Sequence, residues 1–111
     1  MKKTVSTLVV TSTIFCNVSA KLNVAINHYA EKSVALKWAK SAENDLFLLE
    51  AIFYCEGEKA IENELKKICI YSRLANTSDC DEIKQVLKDC YQKVKDLENE
   101  ISELINNNNG E

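Results

Sequence analysis

Cysteine is the residue type with the widest chemistry in this sequence, since a thiol can form a disulfide, bind a metal or act as a nucleophile. One of the five cysteines, Cys16, lies near the N-terminus, and the other four follow with 13, 10 and 9 residues between them. No two of them form a C-x-x-C pair, so the spacing disfavours a structural zinc site. We expect these four to form two disulfides, as an even number does in a short exported chain. They are Cys55, Cys69, Cys80 and Cys90.

Catalytic groups other than thiols are sparse. The single histidine, His28, has no local catalytic partner, and we interpret it as a surface or half-buried helix residue. The sequence contains no HExxH, GxSxG or glycine-rich phosphate-binding motif. We therefore expect no enzymatic activity, no metal and no cofactor.

The first 20 residues have the order of features found in a secretory signal peptide. Two lysines start the segment, residues 5–18 carry no charge, and Val18 and Ala20 supply small residues before a cleavage position. An uncleaved membrane anchor is the alternative, but the segment is short and rich in Ser and Thr for a span of about 20 apolar residues. We expect cleavage after Ala20, a secreted or periplasmic location, and no stable membrane insertion afterwards.

The processed chain is acidic. Loss of Lys2 and Lys3 leaves 12 basic residues against 17 acidic ones, a net charge of −5. Such a balance disfavours nucleic acid and anionic membranes as partners. A chain of this length also has a small core, so two cross-links of ~2–4 kcal/mol each would contribute much of its stability.

Helix is the predicted state of most of the remaining chain, because the sequence has no proline, only two glycines and no segment with the alternation of a strand. A first helical region is predicted at residues 22–55, with a weak point at residues 41–45. Its last part, residues 46–55, is apolar nearly all round, which is typical of the buried centre of a bundle. Gly57 suits the position just past this helix.

The rest of the chain predicts two more helices. The first covers residues 58–74 and ends at a polar turn, residues 76–79, where Ser78 or Asp79 can cap the next helix. In the last helix, apolar and cysteine residues recur in steps of three and four over more than three heptads. We expect a helical domain at residues 21–105 and a disordered tail at residues 106–111. The members of this heptad seam are Cys80, Ile83, Leu87, Cys90, Val94, Leu97, Ile101 and Leu104.

The disulfide pattern follows from folding these two helices into an antiparallel hairpin at residues 76–79. Cys69 and Cys80 would then lie opposite each other near the turn, and Cys90 would lie towards Cys55. The predicted disulfides are therefore Cys69–Cys80 and Cys55–Cys90. The predicted fold is an all-α, small disulfide-stapled helical bundle, built on an antiparallel helical hairpin with a long C-terminal heptad helix.

The end of the heptad seam needs cover that the hairpin does not supply. The last helix is predicted at about 26 residues and its partner at about 17, which leaves Leu97, Ile101 and Leu104 beyond the partner's reach. Either the first helical region covers them within one bundle, which we favour, or another chain does.

Two further residues are candidates for contact or modification. Trp38 is a possible interface anchor, although packing on the hairpin as a core residue explains it equally well. Asn76 begins the sequence Asn-Thr-Ser, a glycosylation acceptor that would lie in an accessible turn in a eukaryotic host.

Two functions are consistent with these features. The first is a small exported binding protein that docks on another protein, in the manner of an inhibitor, an immunity protein or an antiholin. The second is a structural protein that associates with itself through the C-terminal seam as a coiled coil. A small enzyme is disfavoured, because the motifs of catalysis are missing.

Overall fold

The molecule is an elongated all-helical bundle, with principal extents of 48 × 21 × 17 Å. The computed structural model describes the backbone of residues 5–56 and 59–109, and the side chains of residues 9–53 and 62–103. Within these residues the chain is helical apart from short turns, which confirms the all-α prediction. The helices are α1 (Val5–Asn27), α2 (Lys32–Glu56), α3 (Lys59–Ile68), α4 (Ile70–Ala75) and α5 (Cys80–Asn109).

The first and last helices run in opposite directions along the bundle. At one end, the Lys84 ammonium near the start of α5 lies 4.9 Å from the ring centroid of Tyr29, just after α1. A side-chain ion pair of 2.6 Å between Lys21 and Asp45 joins α1 to α2. Because α1 packs on both α2 and α5, it is an integral part of the bundle.

The segment predicted as a signal peptide belongs to α1 and contributes to the core. Phe15 and Val18 are 1% and 0% exposed, and Ile14 is also buried. The helix continues through Ala20, the predicted cleavage position, to Asn27. An apolar segment buries its side chains wherever a complementary surface is available, because the hydrophobic effect is non-directional.

The first turn of the chain lies at residues 28–31, which corrects the predicted continuous region at residues 22–55. The amide of Glu31 donates to the carbonyl of His28 at 2.9 Å, and the Glu31 carbonyl accepts from Ala35 at 3.0 Å as α2 begins. His28 is accordingly exposed in the turn. The predicted weak point at residues 41–45 is uninterrupted helix.

The apolar segment of α2 is only partly buried, in contrast to the predicted bundle centre. Leu46, Leu49 and Phe53 are buried. Phe47 and Leu48 point away from that face and are 52% and 55% exposed. A helix in a small bundle buries only the sides that its neighbours cover, so a segment that is apolar nearly all round must leave some large side chains in solvent.

The third helical region is broken, although the sequence predicted one helix at residues 58–74. Cys69 has a left-handed backbone, with φ 45° and ψ 52°, and separates α3 from α4. α4 ends at Ala75, and the predicted turn at residues 76–79 follows. Asp79 caps α5 as predicted, because its Oδ1 accepts from the amides of Asp81 at 2.8 Å and Glu82 at 3.4 Å.

α5 follows the predicted heptad seam from Ile83 onwards, but Cys80, the first predicted member of the seam, is exposed in the first turn of the helix. Its inward positions from Ile83 to Ile101 are buried, and charged residues occupy most of the others. The helix continues to Asn109, beyond the predicted end at residue 105 and into the predicted tail. Adding residues to an existing helix needs no new nucleus, so a polar extension of a long helix is readily formed. The buried seam residues are Ile83, Leu87, Cys90, Val94, Leu97 and Ile101.

Candidate interaction surface

A groove opens between α2 on one side and α3 and α4 on the other. Its volume is ≈ 360 Å³, and we call it the Tyr71 groove. Both charged and apolar side chains line it, and it is open to solvent along one side. The lining residues are Lys40, Glu43, Leu46, Phe47, Glu50, Leu65, Lys66, Cys69, Tyr71 and Ser72.

Two aromatic side chains give the Tyr71 groove its apolar character. Phe47 enters it from α2, and Tyr71, which is 38% exposed, enters it from α4. The Lys40 ammonium lies 5.0 Å from the centroid of the Tyr71 ring, a cation–π contact that orients the ring. Leu48 lies beside Phe47 on the same exposed side of α2. Two large exposed side chains from neighbouring helices in one groove form the kind of apolar patch that marks interaction sites.

Charges at the rim of the groove compensate one another. The Lys66 ammonium lies 3.3 Å from a carboxylate oxygen of Glu62 on its own helix and 3.8 Å from one of Glu50 across the groove. The Lys40 ammonium is engaged with the Tyr71 ring. Since no strong local charge results, a ligand in this groove would be recognised mainly by apolar contact.

The broken helix at Cys69 shapes the floor of the groove. The exposed Cys69 thiol donates to the carbonyl of Lys66 at 2.8 Å, which uses a carbonyl at the end of α3. The left-handed backbone is unfavourable for a residue with a Cβ, and such strain is common at functional sites. The break also starts α4 in a new direction, and Tyr71 is its second residue.

Arg73 links α4 to α5. Its guanidinium donates to Asp89 Oδ2 at 2.7 Å and to Cys90 Sγ at 3.5 Å. The hydrogen bond from Arg73 lowers the pKa of the Asp89 carboxyl and raises that of the guanidinium. Burial raises the pKa of the Cys90 thiol to about 11, although the nearby Arg73 charge acts in the opposite direction. Cys90 is therefore an unreactive, protonated core residue at neutral pH.

The described cysteines form neither of the predicted disulfides. Cys69, Cys80 and Cys90 are free thiols, and the side chain of Cys55 lies outside the described residues. The Cys69–Cys80 prediction assumed a continuous helix, whereas the chain changes direction at Cys69. The fold is thus a helical bundle without the predicted stapling among the described cysteines.

The structure brings the other predicted site residues to different places. Trp38 is half-buried and packs against the core. Leu97 and Ile101 are 4% and 1% exposed, and the side chain of Leu104 lies outside the described residues. Asn76 is exposed in the turn, where an attached group would be accessible. Among the predicted contact and modification residues whose side chains are described, Asn76 alone is fully on the surface.

The Tyr71 groove was missed by the sequence reasoning. Phe47 and Leu48 lie in a segment whose uniform apolarity was interpreted as burial, and Tyr71 lies in a helix assumed to be continuous. The available signal was the excess of large apolar residues in α2, more than one buried stripe can accommodate. The break at Cys69 had no sequence signal, because no glycine, asparagine or proline occurs there.

Searches for similar proteins found no matching family model, no matching curated protein and no matching solved structure. Two further features concern membrane spanning and metal binding. The segment from Val9 to Asn27 is long and apolar enough to cross a membrane by length and composition, a test that signal sequences near an N-terminus also pass. Among the described residues, no group of three or more His, Cys, Asp or Glu side chains could hold a metal ion.

Proposed function

We propose that the chain is a small exported helical protein that acts by binding another protein through the Tyr71 groove. The observation that carries the proposal is the exposure of Phe47 and Tyr71 within one groove, with Leu48 exposed next to Phe47 on α2. Aromatic side chains at such positions supply much of the contact energy in protein interfaces. An inhibitor, an immunity protein or an antiholin would each act in this way, without chemistry of its own.

The proposed partner presents an apolar segment to the groove. The ammonium groups at its rim already have partners, Lys66 on Glu50 and Lys40 on the Tyr71 ring. A strongly charged ligand would therefore gain little, and the acidic net charge of the chain disfavours nucleic acid. Buried aromatic contact in a groove of this kind favours a protein segment with its own large apolar side chains.

Export is supported by the N-terminal segment. It combines two initial lysines with an uncharged apolar helix and small residues at Val18 and Ala20. These are the features that direct a secreted or periplasmic protein to export. The binding proposal stands independently of it, because the Tyr71 groove is formed by α2, α3 and α4.

Photo-crosslinking from Leu48, the exposed neighbour of the groove residue Phe47, tests the proposal. A benzophenone amino acid replaces Leu48, and in a matched control it replaces Lys88, which is exposed on α5. After irradiation in the native compartment, the Leu48 site should give a discrete crosslinked band of higher mass, and the Lys88 site should not. Equal crosslinking from both sites, or none from Leu48, would contradict the proposal.

A substitution in the groove provides the second arm. Phe47→Asp places a charge at the aromatic wall, where the side chain is 52% exposed and folding should tolerate it. The crosslink from Leu48 should then be lost, while Lys88→Glu should leave it intact. Retention of the crosslink in Phe47→Asp would locate the partner elsewhere.

A further inference from the structure

Burial of α1 in the bundle uses the side chains that make it apolar enough to enter a membrane. Phe15 and Val18 are 1% and 0% exposed, and Ile14 is also buried. All three lie in the segment Val9–Asn27, which could cross a membrane by length and composition. Packing in a core and transfer to lipid both remove apolar surface from water, so each side chain can take part in only one of them at a time.

α5 completes the cover over this apolar side of α1. Tyr29 and Lys84 lie at one level, and α1 and α5 run in opposite directions. Positions about 14 residues back along α1 and about 14 forward along α5 are roughly level, because both helices rise equally per residue. Leu97 and Ile101, which are 4% and 1% exposed, therefore lie near the level of Phe15. Since α1 packs on both α2 and α5, it is only partly covered until α5 is in place.

The order of synthesis separates these two helices in time. Roughly 80 residues lie between the end of α1 and the end of α5, which corresponds to roughly 4–16 s of synthesis at about 5–20 residues per second. Helical bundles fold in microseconds to milliseconds, so packing itself adds little to this interval. α1 therefore lacks the cover of α5 for seconds during synthesis and has it afterwards.

We infer that the bundle is autoinhibitory towards membranes: α1 binds a lipid bilayer while α5 has not yet packed, and the folded chain withholds it. The α5 seam, which lies outside the signal-like segment, thus controls access to that segment. The inference rests on the export part of the proposed function, because it assigns to α1 the membrane contact with which export begins. It adds that export has to start before synthesis ends. The Tyr71 groove takes no part in it.

Cell-free synthesis of the full chain tests the inference. Vesicles of phosphatidylcholine and phosphatidylglycerol are either present during synthesis or added after it, and bound chain is separated by flotation. The anionic lipid is included because Lys2 and Lys3 precede the apolar segment. The chain should float when vesicles are present during synthesis and should not float when they are added afterwards. Flotation in both arms, or in neither, would overturn the inference.

Substitutions in α5 test whether packing is what withholds α1. Leu97→Asp together with Ile101→Asp leaves α1 unchanged but places charge in its cover, so this chain should float even when vesicles are added after synthesis. Glu100→Gln, at an exposed position, should behave as the unsubstituted chain does. Adding Phe15→Asp to the double variant should abolish flotation, which a general adhesion of unfolded chain would not do. Flotation of the triple variant would overturn the assignment to α1.

Membranes that contain a signal peptidase separate this inference from the proposed export. They replace the vesicles in the same two arms, and cleavage after Ala20 is measured by the mass of the product. Cleavage is expected only when the membranes are present during synthesis. Flotation on vesicles without cleavage in these membranes would contradict export and still support the autoinhibition. Equal cleavage of chain supplied after synthesis would support export and overturn the autoinhibition.

Discussion

α1 and α5 contribute to the same core, but their sequences specify burial in different ways. In α5, apolar residues recur every three or four positions and charges fill the intervals, so one face alone can be buried. The first part of α1 carries no charge up to Ala20, and Val9 and Val10 remain 58% and 46% exposed. The pattern of α5 therefore favours burial of one face in a bundle. The pattern of α1 is equally compatible with a bundle core, a membrane span or a signal sequence.

The fit of α1 in the core is also less complete. The hydroxyl groups of Thr11 and Ser19 are buried without a hydrogen-bond partner among the described residues. A buried hydroxyl without a partner lowers stability by about 1–3 kcal/mol. On α5, the buried residues from Ile83 to Ile101 are all apolar or cysteine. The interface of α1 is therefore less well matched to the core than that of α5.

The largest effect is expected from charge on the α5 seam. Leu97→Asp together with Ile101→Asp should lower the free energy of unfolding of the full chain by several kcal/mol, because both positions are buried. Thermal melts by circular dichroism measure it, with Glu100→Gln, at an exposed position, as a control. A full chain that retains its melting midpoint would show that this part of α5 is not covered by α1.

A single truncation in α1 comes next. Phe15→Ala should lower the unfolding free energy of the full chain by about 3–5 kcal/mol, because Phe15 is almost completely buried. The exported species should show no effect at all if it begins at Lys21. Chemical denaturation of both forms measures the difference, and a Phe15→Ala effect below ~1 kcal/mol in the full chain would place α1 outside the core.

Because of Cys90, the free energy of unfolding should depend on pH in the alkaline range. Its pKa of about 11 in the folded protein exceeds the ordinary value of 9.0, so folding favours the protonated thiol. The resulting stabilisation is complete below pH 9 and is lost as the pH rises through 11, with a loss on the order of 2 kcal/mol. Urea denaturation at about pH 8 and about pH 11 should show this loss, and Cys90→Ala should remove that part of it. An identical loss in the variant would assign it to other groups.

Removing a buried hydroxyl should improve α1. Thr11→Val preserves the shape of the side chain and eliminates the buried oxygen, so the full chain should gain about 1 kcal/mol in unfolding free energy. Thr13→Val is the matched control, because the exposed Thr13 hydroxyl already donates to the Val9 carbonyl at 2.9 Å. Urea denaturation compares the two variants. A gain in Thr13→Val equal to that in Thr11→Val would attribute the effect to helix propensity or hydrophobicity instead.

The smallest expected effect concerns the link between α4 and α5. Asp89→Asn should lower the unfolding free energy by less than about 1 kcal/mol, since Asp89 is 41% exposed and solvent screens its pair with Arg73. Because the folded pKa of Asp89 lies below its ordinary value, this contribution is present at neutral pH and lost as the pH falls through the acidic range. Melts at about pH 7 and about pH 2.5 should differ less for Asp89→Asn than for the unsubstituted chain.

The parts of the fold that were predictable depend on strong local signals. The α5 seam from Ile83 to Ile101 and the Asp79 cap were predicted correctly, because heptad spacing and side-chain capping are properties of the local sequence. The turn at residues 28–31 and the break at Cys69 were not predicted, because neither has a glycine or proline to mark it. A turn or a break without such a residue is not marked in the local pattern from which the helices were predicted.

The role of residues 1–20 and the surface around Phe47 were obscured for a related reason. A segment that is apolar on nearly all sides is predicted to avoid water. Its pattern does not indicate whether it enters a core, a membrane or an interface, or which of its faces is buried. The same property suggested a removable segment at Phe15 and a fully buried one at Phe47. The structure shows a core residue in the first case and a groove residue in the second.

The left-handed residue at Cys69 divides the third helical region into pieces of 10 and 6 residues. Helices of that length are marginal without tertiary packing, because too few hydrogen bonds follow the costly first turn. The wall of the Tyr71 groove formed by α3 and α4 should therefore open more often than α2 or α5, and its amide hydrogens should exchange with solvent sooner. A groove with one firm wall and one yielding wall can adjust its width to the segment that enters it while the rest of the bundle stays folded.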